Sequence, residues 1–184
     1  DKQIDAGLLQ SLRLNKEAIR VYLLQKNDHA KEESIRPMIP KADRKDSLAL
    51  SFSQERVWFT DQLQGTVEYH MPWKFRVKGN LDSAALEASF RSLISRHEIL
   101  RTVIREEDGI GYQLVMPLGD WKMRYASAED IISAGGTPDQ YLGALLLDPF
   151  DLSSDLMIRV ALIRVAPQEH ILFGVIHHIA ADGW

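Results

Sequence analysis

The sequence predicts a mixed α/β layer, a β-sheet with helices packed on it, preceded by a helical leader. Three observations predict it. Two nearly continuous apolar runs, Leu156–Val165 and His170–Ile179, are joined by Ala166-Pro167-Gln168-Glu169. Such runs are what strands buried on both faces look like. After Asp82, residues Leu86, Phe90, Leu93 and His97 recur at the spacing of one helix face. Between these signals, Phe75-Arg76-Val77-Lys78 alternates apolar and polar, which is the period of a strand.

Composition bounds the function. The 184 residues are 45% hydrophobic and 26% charged, ordinary globular material for one core, or one core plus an appendage. A net charge of −4 and a pI of about 5.9 give no basic face for nucleic acid or an anionic membrane. The absence of cysteine excludes disulfides and thiolate metal sites. It fits a reducing compartment, and a cytoplasmic location is expected. The longest apolar stretch, near Ile171–Ile179, is too short to span a bilayer. The N-terminus lacks a signal-peptide pattern, and no internal period marks a repeat.

Residues 1–35 read as helical. Leu8, Leu9 and Leu12 sit at near-helical spacing, and Asn15 can cap a stretch whose apolar face is Ile19, Tyr22 and Leu23. Pro37 and Pro40 then forbid continuation. The expected organisation is a helical leader or docking segment over 1–27, a linker over 28–47 and the main unit over 48–184. Leu48–Ser51 is a short strand candidate, and Ser51 or Ser53 can cap the helix after it. Val57 and Leu63 mark that helix's apolar side, and Trp58 and Phe59 read as core. Tyr69–Lys78 is a strand, Gly79-Asn80 a turn, and Asp82 the cap of the next helix. Leu100–Glu106 and Tyr112–Met116 form a hairpin around Glu107-Asp108-Gly109-Ile110-Gly111. Residues 127–134 and 138–147 are helical, the second capped by Thr137 with Pro138 at its first position. Pro149–Ser153 is a loop before the two apolar strands.

The chemistry concentrates in the closing octapeptide His177-His178-Ile179-Ala180-Ala181-Asp182-Gly183-Trp184. The turn after a buried strand is where side chains leave the core and reach a ligand. Imidazole is the side chain that ordinarily both accepts and donates a proton near neutrality. Adjacent strand residues point to opposite faces, so only one of His177 and His178 faces an active side. The other is a structural histidine holding the loop. The same geometry makes the pair poor co-ligands, and no other ligand cluster is visible, so no metal is expected. Asp182 lies past a turn, where it can fold back near the imidazole or pair with a cation elsewhere. Gly183 permits a tight bend, and Trp184 can wall off water.

His177-His178-x-x-x-Asp182-Gly183 resembles the HHxxxDG signature of condensation domains of nonribosomal peptide synthetases, members of the chloramphenicol acetyltransferase-like superfamily. Ser51-Phe52-Ser53-Gln54-Glu55-Arg56-Val57-Trp58-Phe59 is similar to the family's first motif, SxAQxRLWxL, with Ser53 where alanine is usual. Arg96-His97-Glu98-Ile99-Leu100-Arg101-Thr102-Val103 resembles its second, RHExLRTxF, with Ile104 in place of the usual phenylalanine. Pro149-Phe150-Asp151-Leu152, followed by Leu156, Arg159 and Val160, looks like the segment preceding the final hairpin. Trp184 after Asp-Gly resembles elongation rather than epimerisation domains.

The resemblance implies one lobe of a two-lobed fold, with the active site in a tunnel between the lobes and the C-terminal lobe absent from these residues. It implies amide (peptide) bond formation between a donor acyl or peptidyl thioester and an acceptor aminoacyl thioester. Both substrates ride on phosphopantetheine arms of partner carrier proteins, upstream donor and downstream acceptor, and no cofactor is bound by this chain. His178 is the expected catalytic residue, as general base or positioning group. His177, Asp182, Gly183 and Trp184 are expected to support the active-site loop, with Gly183 as a donor to the oxyanion. Arg56, Arg96 and Arg101 are the candidate salt-bridge partners of the structural acid. His97 is expected to be structural. Residues 1–27 resemble the inter-domain segments ahead of such domains. The lobe alone is expected to be inactive and to self-associate through its open face. The alternatives are a free-standing acyl-CoA-dependent acyltransferase of the same superfamily and a catalytically silent, partner-recruiting domain.

Overall fold

A computed structural model of the chain describes residues 14–22, 48–65 and 67–181. The chain divides into two compact units, Asp1–Ala42 and Asp43–Trp184. In the first, residues 16–22 are helical, and the Ile19 N–H donates to the Asn15 carbonyl at 2.9 Å. Tyr22, expected on an apolar face, is exposed, while Ile19 is half-buried. The rest of the expected leader helix and the linker over 28–47 lie outside the described residues.

The second unit contains two sheets rather than the single one expected. Its elements, in order, are β1 (Leu48–Ala49), α1 (Phe52–Gln64), β2 (His70–Lys78), α2 (Ser83–Arg96), β3 (Thr102–Glu107), β4 (Ile110–Val115), β5 (Arg124–Ser127), α3 (Ala128–Ser133), α4 (Pro138–Leu147), β6 (Ile158–Ala166) and β7 (Glu169–His177). The small sheet has the order β1-β4-β3 and is antiparallel. The larger has the order β2-β7-β6-β5 and is mixed, because β5 runs parallel to β6 while the other pairs are antiparallel. The turn between β3 and β4 is tighter than expected. Asp108 and Gly109 alone form it, both with positive φ (52° and 80°), as a two-residue hairpin turn of the favoured hand requires.

The packing of β6 explains why most of its sequence is apolar. Met157, Ala161 and Ile163 pack into one core cluster, with Val57 of α1, Val103 of β3 and Leu142 of α4. The alternate residues Ile158, Val160 and Leu162 pack into the other, with Ile94 of α2. Both faces of the strand are covered along its middle, Val160–Ile163, which is apolar throughout, and its arginines lie toward its ends.

Helix starts obey local chemistry. Ser51, not Ser53, caps α1: its hydroxyl accepts from the Gln54 N–H while the Gln54 side chain accepts from the Ser51 N–H, a reciprocal capping box. Asp82 caps α2 and Thr137 caps α4 in the expected manner. The buried face of α2 differs from expectation. Leu86 and Phe90 pack inward, but the third position is Ile94, fully buried, while Leu93 is 42% exposed and His97 lies exposed at the helix end. On α1, Val57 is buried and Trp58 packs on the core, but Phe59 and Leu63 are exposed. Strand β5 has no counterpart in the sequence expectation. Four residues, Arg124-Tyr125-Ala126-Ser127, at a sheet edge carry too little alternation to announce a strand.

Where β2 crosses β7, Trp73 stands opposite Gly174. The indole stacks on Phe90 of α2 at 6.0 Å and 10° and lies directly over the glycine. A Cβ added at Gly174 would fall 2.1 Å from the Trp73 ring, so the ring must leave its place on Phe90. Gly174→Ala is therefore expected to destabilise the second unit by about 1–3 kcal/mol, as read from urea denaturation. Gly143→Ala, at a helical glycine where an added Cβ meets nothing within 4 Å, is the control and should be neutral or stabilising.

Candidate active site

The site begins with strand register. β2 and β7 pair from Lys78↔Glu169 to His70↔His177 without interruption. The next residues along, Tyr69 and His178, remain joined: the His178 N–H donates to the Tyr69 carbonyl at 2.9 Å. The alternation of a strand then sends the two histidines to opposite sides. His177 is 1% exposed. His178 is exposed.

His177 is held from several directions. Its backbone N–H donates to the Met157 carbonyl at 3.1 Å, and its carbonyl accepts from the Ala180 N–H at 3.0 Å. Its Nδ1 accepts from the Ile179 N–H at 3.2 Å, so the turn carrying His178 is fastened to the ring of the preceding residue. An acceptor Nδ1 requires the neutral tautomer with its proton on Nε2. The surroundings agree. Burial first, then the neighbouring His70, His178 and Arg159, lower the His177 pKa from 6.5 to about 4.

The buried ring sits in a cluster. His70, opposite it, is also buried and donates from Nδ1 to the Leu146 carbonyl at 2.6 Å, in the last turn of α4. The His70 and His177 rings meet edge-to-face at 5.8 Å, and Phe150 contacts both, at 5.0 and 5.7 Å. Arg159 closes the stack, its guanidinium 3.9 Å from the Phe150 ring centroid. The same guanidinium donates to the carbonyls of Asp148 (2.5 Å) and Pro149 (2.8 Å) and to the Asp155 carboxylate (2.9 Å). Asp151 folds this loop on itself, accepting from the Ser153 N–H and from the hydroxyls of Ser153 and Ser154.

On the other side of the sheet end, His178 opens into a cleft of about 410 Å³. Its walls include Ser53, Gln54 and Arg56 of α1, together with Tyr69 and Ala181. The first sequence motif and the histidine motif therefore meet in space. The second does not join them. Arg96 and His97 are exposed at the end of α2. Arg101 is mostly enclosed and bonds the Met116 carbonyl at 2.5 Å and the Glu98 carboxylate at 3.3 Å. Val103 and Ile104 are buried, and the Ile104 N–H donates to the Leu152 carbonyl at 2.8 Å. This motif fixes the turn into β3 and, through it, the loop that bears Phe150.

Of the three candidate arginines, Arg56 alone lines the His178 cleft. Asp182, Gly183 and Trp184 lie outside the described residues. Sequence reading assigned no role to Tyr69, His70 or Arg159. The signal for the first two was the Tyr-His pair at the start of a predicted strand, but its meaning depends on a partner strand 107 positions away at His177. Among the described residues no group of three or more His, Asp or Glu side chains converges as a metal site would.

Comparison with known proteins decides the family. Residues 44–184 match the family model described as Condensation domain. The chain belongs to the condensation-domain family. It is 42% identical over 147 residues to the nonribosomal peptide synthetase kk1B of Curvularia clavata, covering 79% of this chain and 1% of that protein. It is 39% identical over 158 residues to the isonitrile lipopeptide synthase of Mycobacterium tuberculosis, covering 83% of this chain and 6% of that protein. Among solved structures, the starter condensation domain of rhizomide synthetase RzmA superposes with a TM-score of 0.65 at 24% identity, over 75% of this chain and 32% of the other. An X-domain solved in complex with OxyB from teicoplanin biosynthesis gives a TM-score of 0.65 at 29% identity, over 80% and 32%. The chain thus spans a small part of the synthetases it matches and about a third of the solved chains. The fold is that of the N-terminal lobe of a condensation domain, on the chloramphenicol acetyltransferase-like plan. No helix among the described residues is long and apolar enough to cross a membrane.

The neutral, buried His177 gives stability a pH dependence with a defined sign. Above pH 6.5 the imidazole is neutral in both folded and unfolded chains and contributes nothing to the slope. Between 6.5 and about 4 the unfolded chain takes up a proton that the folded one refuses. Stability is therefore expected to fall with pH across that window, by on the order of 3 kcal/mol at its lower end. Urea denaturation between pH 4 and 7 measures the slope, and His177→Asn should remove this component. The anchoring guanidinium gives a second expectation: Arg159→Met should cost about 1–2 kcal/mol, because the exposed carbonyls of Asp148 and Pro149 and the Asp155 carboxylate lose their charged donor.

Proposed function

We propose that this lobe carries the histidine of a peptide-bond-forming condensation site and that His178 is its catalytic residue. The observation that supports this reading most directly is the division of labour between adjacent histidines. His177 is buried, neutral and committed to the turn, while His178 stands in an open cleft beside residues of the first family motif. A donor acyl group enters as a thioester and an acceptor amine as an aminoacyl thioester, each on the phosphopantetheine arm of a carrier protein. The amine nitrogen attacks the donor carbonyl carbon, and the C–S bond breaks as the C–N bond forms. The donor arm leaves as a thiol, and the amine loses one proton. His178 takes that proton, or holds the amine in line by a hydrogen bond while the proton passes to the leaving sulfur. Either role needs an imidazole that is oriented and reachable, and the first contributes on the order of 10²–10⁴ in rate.

Asp182 and Gly183 complete the loop in this reading, with Arg56 as the cation best situated for the acid, since it lines the His178 cleft. The reaction suits the cytoplasm, where a cysteine-free chain needs no oxidising environment. The chain spans about a third of the solved relatives, so in this reading it supplies one wall of the site. A silent, partner-recruiting role would not require an accessible imidazole beside the first motif.

In the intact synthetase containing this lobe, His178→Ala should lower amide formation between loaded carrier proteins by at least about 10²-fold while leaving the fold unchanged. Near-full turnover by that variant would reject the assignment. The 184-residue chain alone, given the same loaded carriers, is expected to form no product.

A further inference from the structure

We infer that Tyr69 is a positioning residue for the His178 imidazole, an inference that rests on the functional reading of His178 above. The antiparallel ladder brings two dipeptides face to face at its end: His70 and His177 close the strands, Tyr69 ends the 3-10 turn before β2, and His178 opens the turn after β7. His70↔His177 is the last pair of the ladder, and the His178 N–H bond to the Tyr69 carbonyl carries the pairing one step further. His70 and His177 are buried, while Tyr69 and His178 line the cleft.

Tyr69 holds His178 at both backbone and ring. The carbonyl fixes where the histidine's chain runs, at 2.9 Å. The phenol ring stands edge-to-face to the imidazole, with centroids 6.2 Å apart at 81°, within the range favoured for aromatic pairs. It also reaches the His177 ring at 6.4 Å, so one side chain touches both histidines. Tyr69 itself is half-buried and packs on the core that contains Val57 and Ile179. Its ring is therefore backed by the fold and presents a fixed edge to the exposed His178 imidazole. A ring packed against an imidazole favours the rotamer that makes the contact. Geometry held in this way matters to rate, because a misplacement of about 1 Å can cost on the order of 10²-fold.

The edge-to-face contact needs the ring and not the hydroxyl, so Tyr69→Phe and Tyr69→Leu separate the two. In the isotope-labelled 184-residue chain, side-chain couplings and ring-proton shifts of His178 report its rotamer. They should shift measurably in Tyr69→Leu and remain close to the parent in Tyr69→Phe. In the intact synthetase, Tyr69→Leu should lower kcat for amide formation by about 10- to 100-fold with KM for the acceptor carrier changed less than about threefold. Tyr69→Phe should recover most of that loss. Unchanged His178 couplings in Tyr69→Leu would overturn the inference, as would a Tyr69→Phe variant as impaired as Tyr69→Leu. If Tyr69→Leu shifts the His178 rotamer but His178→Ala retains turnover, the functional reading of His178 falls and the packing role of Tyr69 stands.

Discussion

The antiparallel register between β2 and β7 is the constraint on which the rest of the site depends. A shift of one residue would turn every side chain of a strand to its other face. His178 would then enter the core and His177 the cleft. Several features forbid the slip. Trp73 fits over Gly174 and nowhere else along β7, since Phe173 and Val175 on either side carry side chains. Phe173 and Val175 belong to one core cluster and Leu172 to the other, so each face of β7 has its own partners. The ladder is thus pinned near its middle, and its far end delivers the two histidines with fixed orientations.

Beyond the ladder, the turn is secured by polar groups rather than by apolar burial. Buried polar groups are stable when each finds a partner. Here the His177 ring accepts from Ile179 and His70 donates to Leu146, while nearer the surface Arg159 serves the carbonyls of Asp148 and Pro149, just before Phe150. These bonds tie β2 to α4 and β6 to the loop after it. The arrangement is rigid on the buried side and open on the other. That asymmetry is what a site needs if one face must hold geometry while the other stays open to a ligand.

The family motifs acquire distinct physical meanings in this frame. The first builds the helix that walls the cleft, starting from the Ser51–Gln54 capping box. The second closes the turn from α2 into β3, with Arg101 and Thr102 bonded to groups around Glu98. The segment from Pro149 carries Phe150 to the back of the histidine pair. Only the first and last motifs meet at the cleft. The others act through the core that positions them.

Most of the elements were legible in the sequence because their causes are local. A capping side chain at Asp82 or Thr137, the Asp108-Gly109 turn, and apolar runs buried on both faces each depend on neighbours within a few positions. The choice of His178 over His177 was half legible: strand alternation requires the two to face opposite ways, but not which way. That was decided by pairing with β2, whose first residues lie far away in the chain. For the same reason Tyr69, His70 and Arg159 carried no readable role. The α2 face differs by one position, Ile94 instead of Leu93, because a helix of 3.6 residues per turn leaves both near the stripe and only the opposing sheet selects one. The edge strand β5 was invisible because four residues paired parallel to β6 owe their conformation to that neighbour. The sequence by itself determined the elements, the motifs and the family. The tertiary structure alone decided which imidazole faces the cleft and what holds it there, because contacts between distant segments have no local signature.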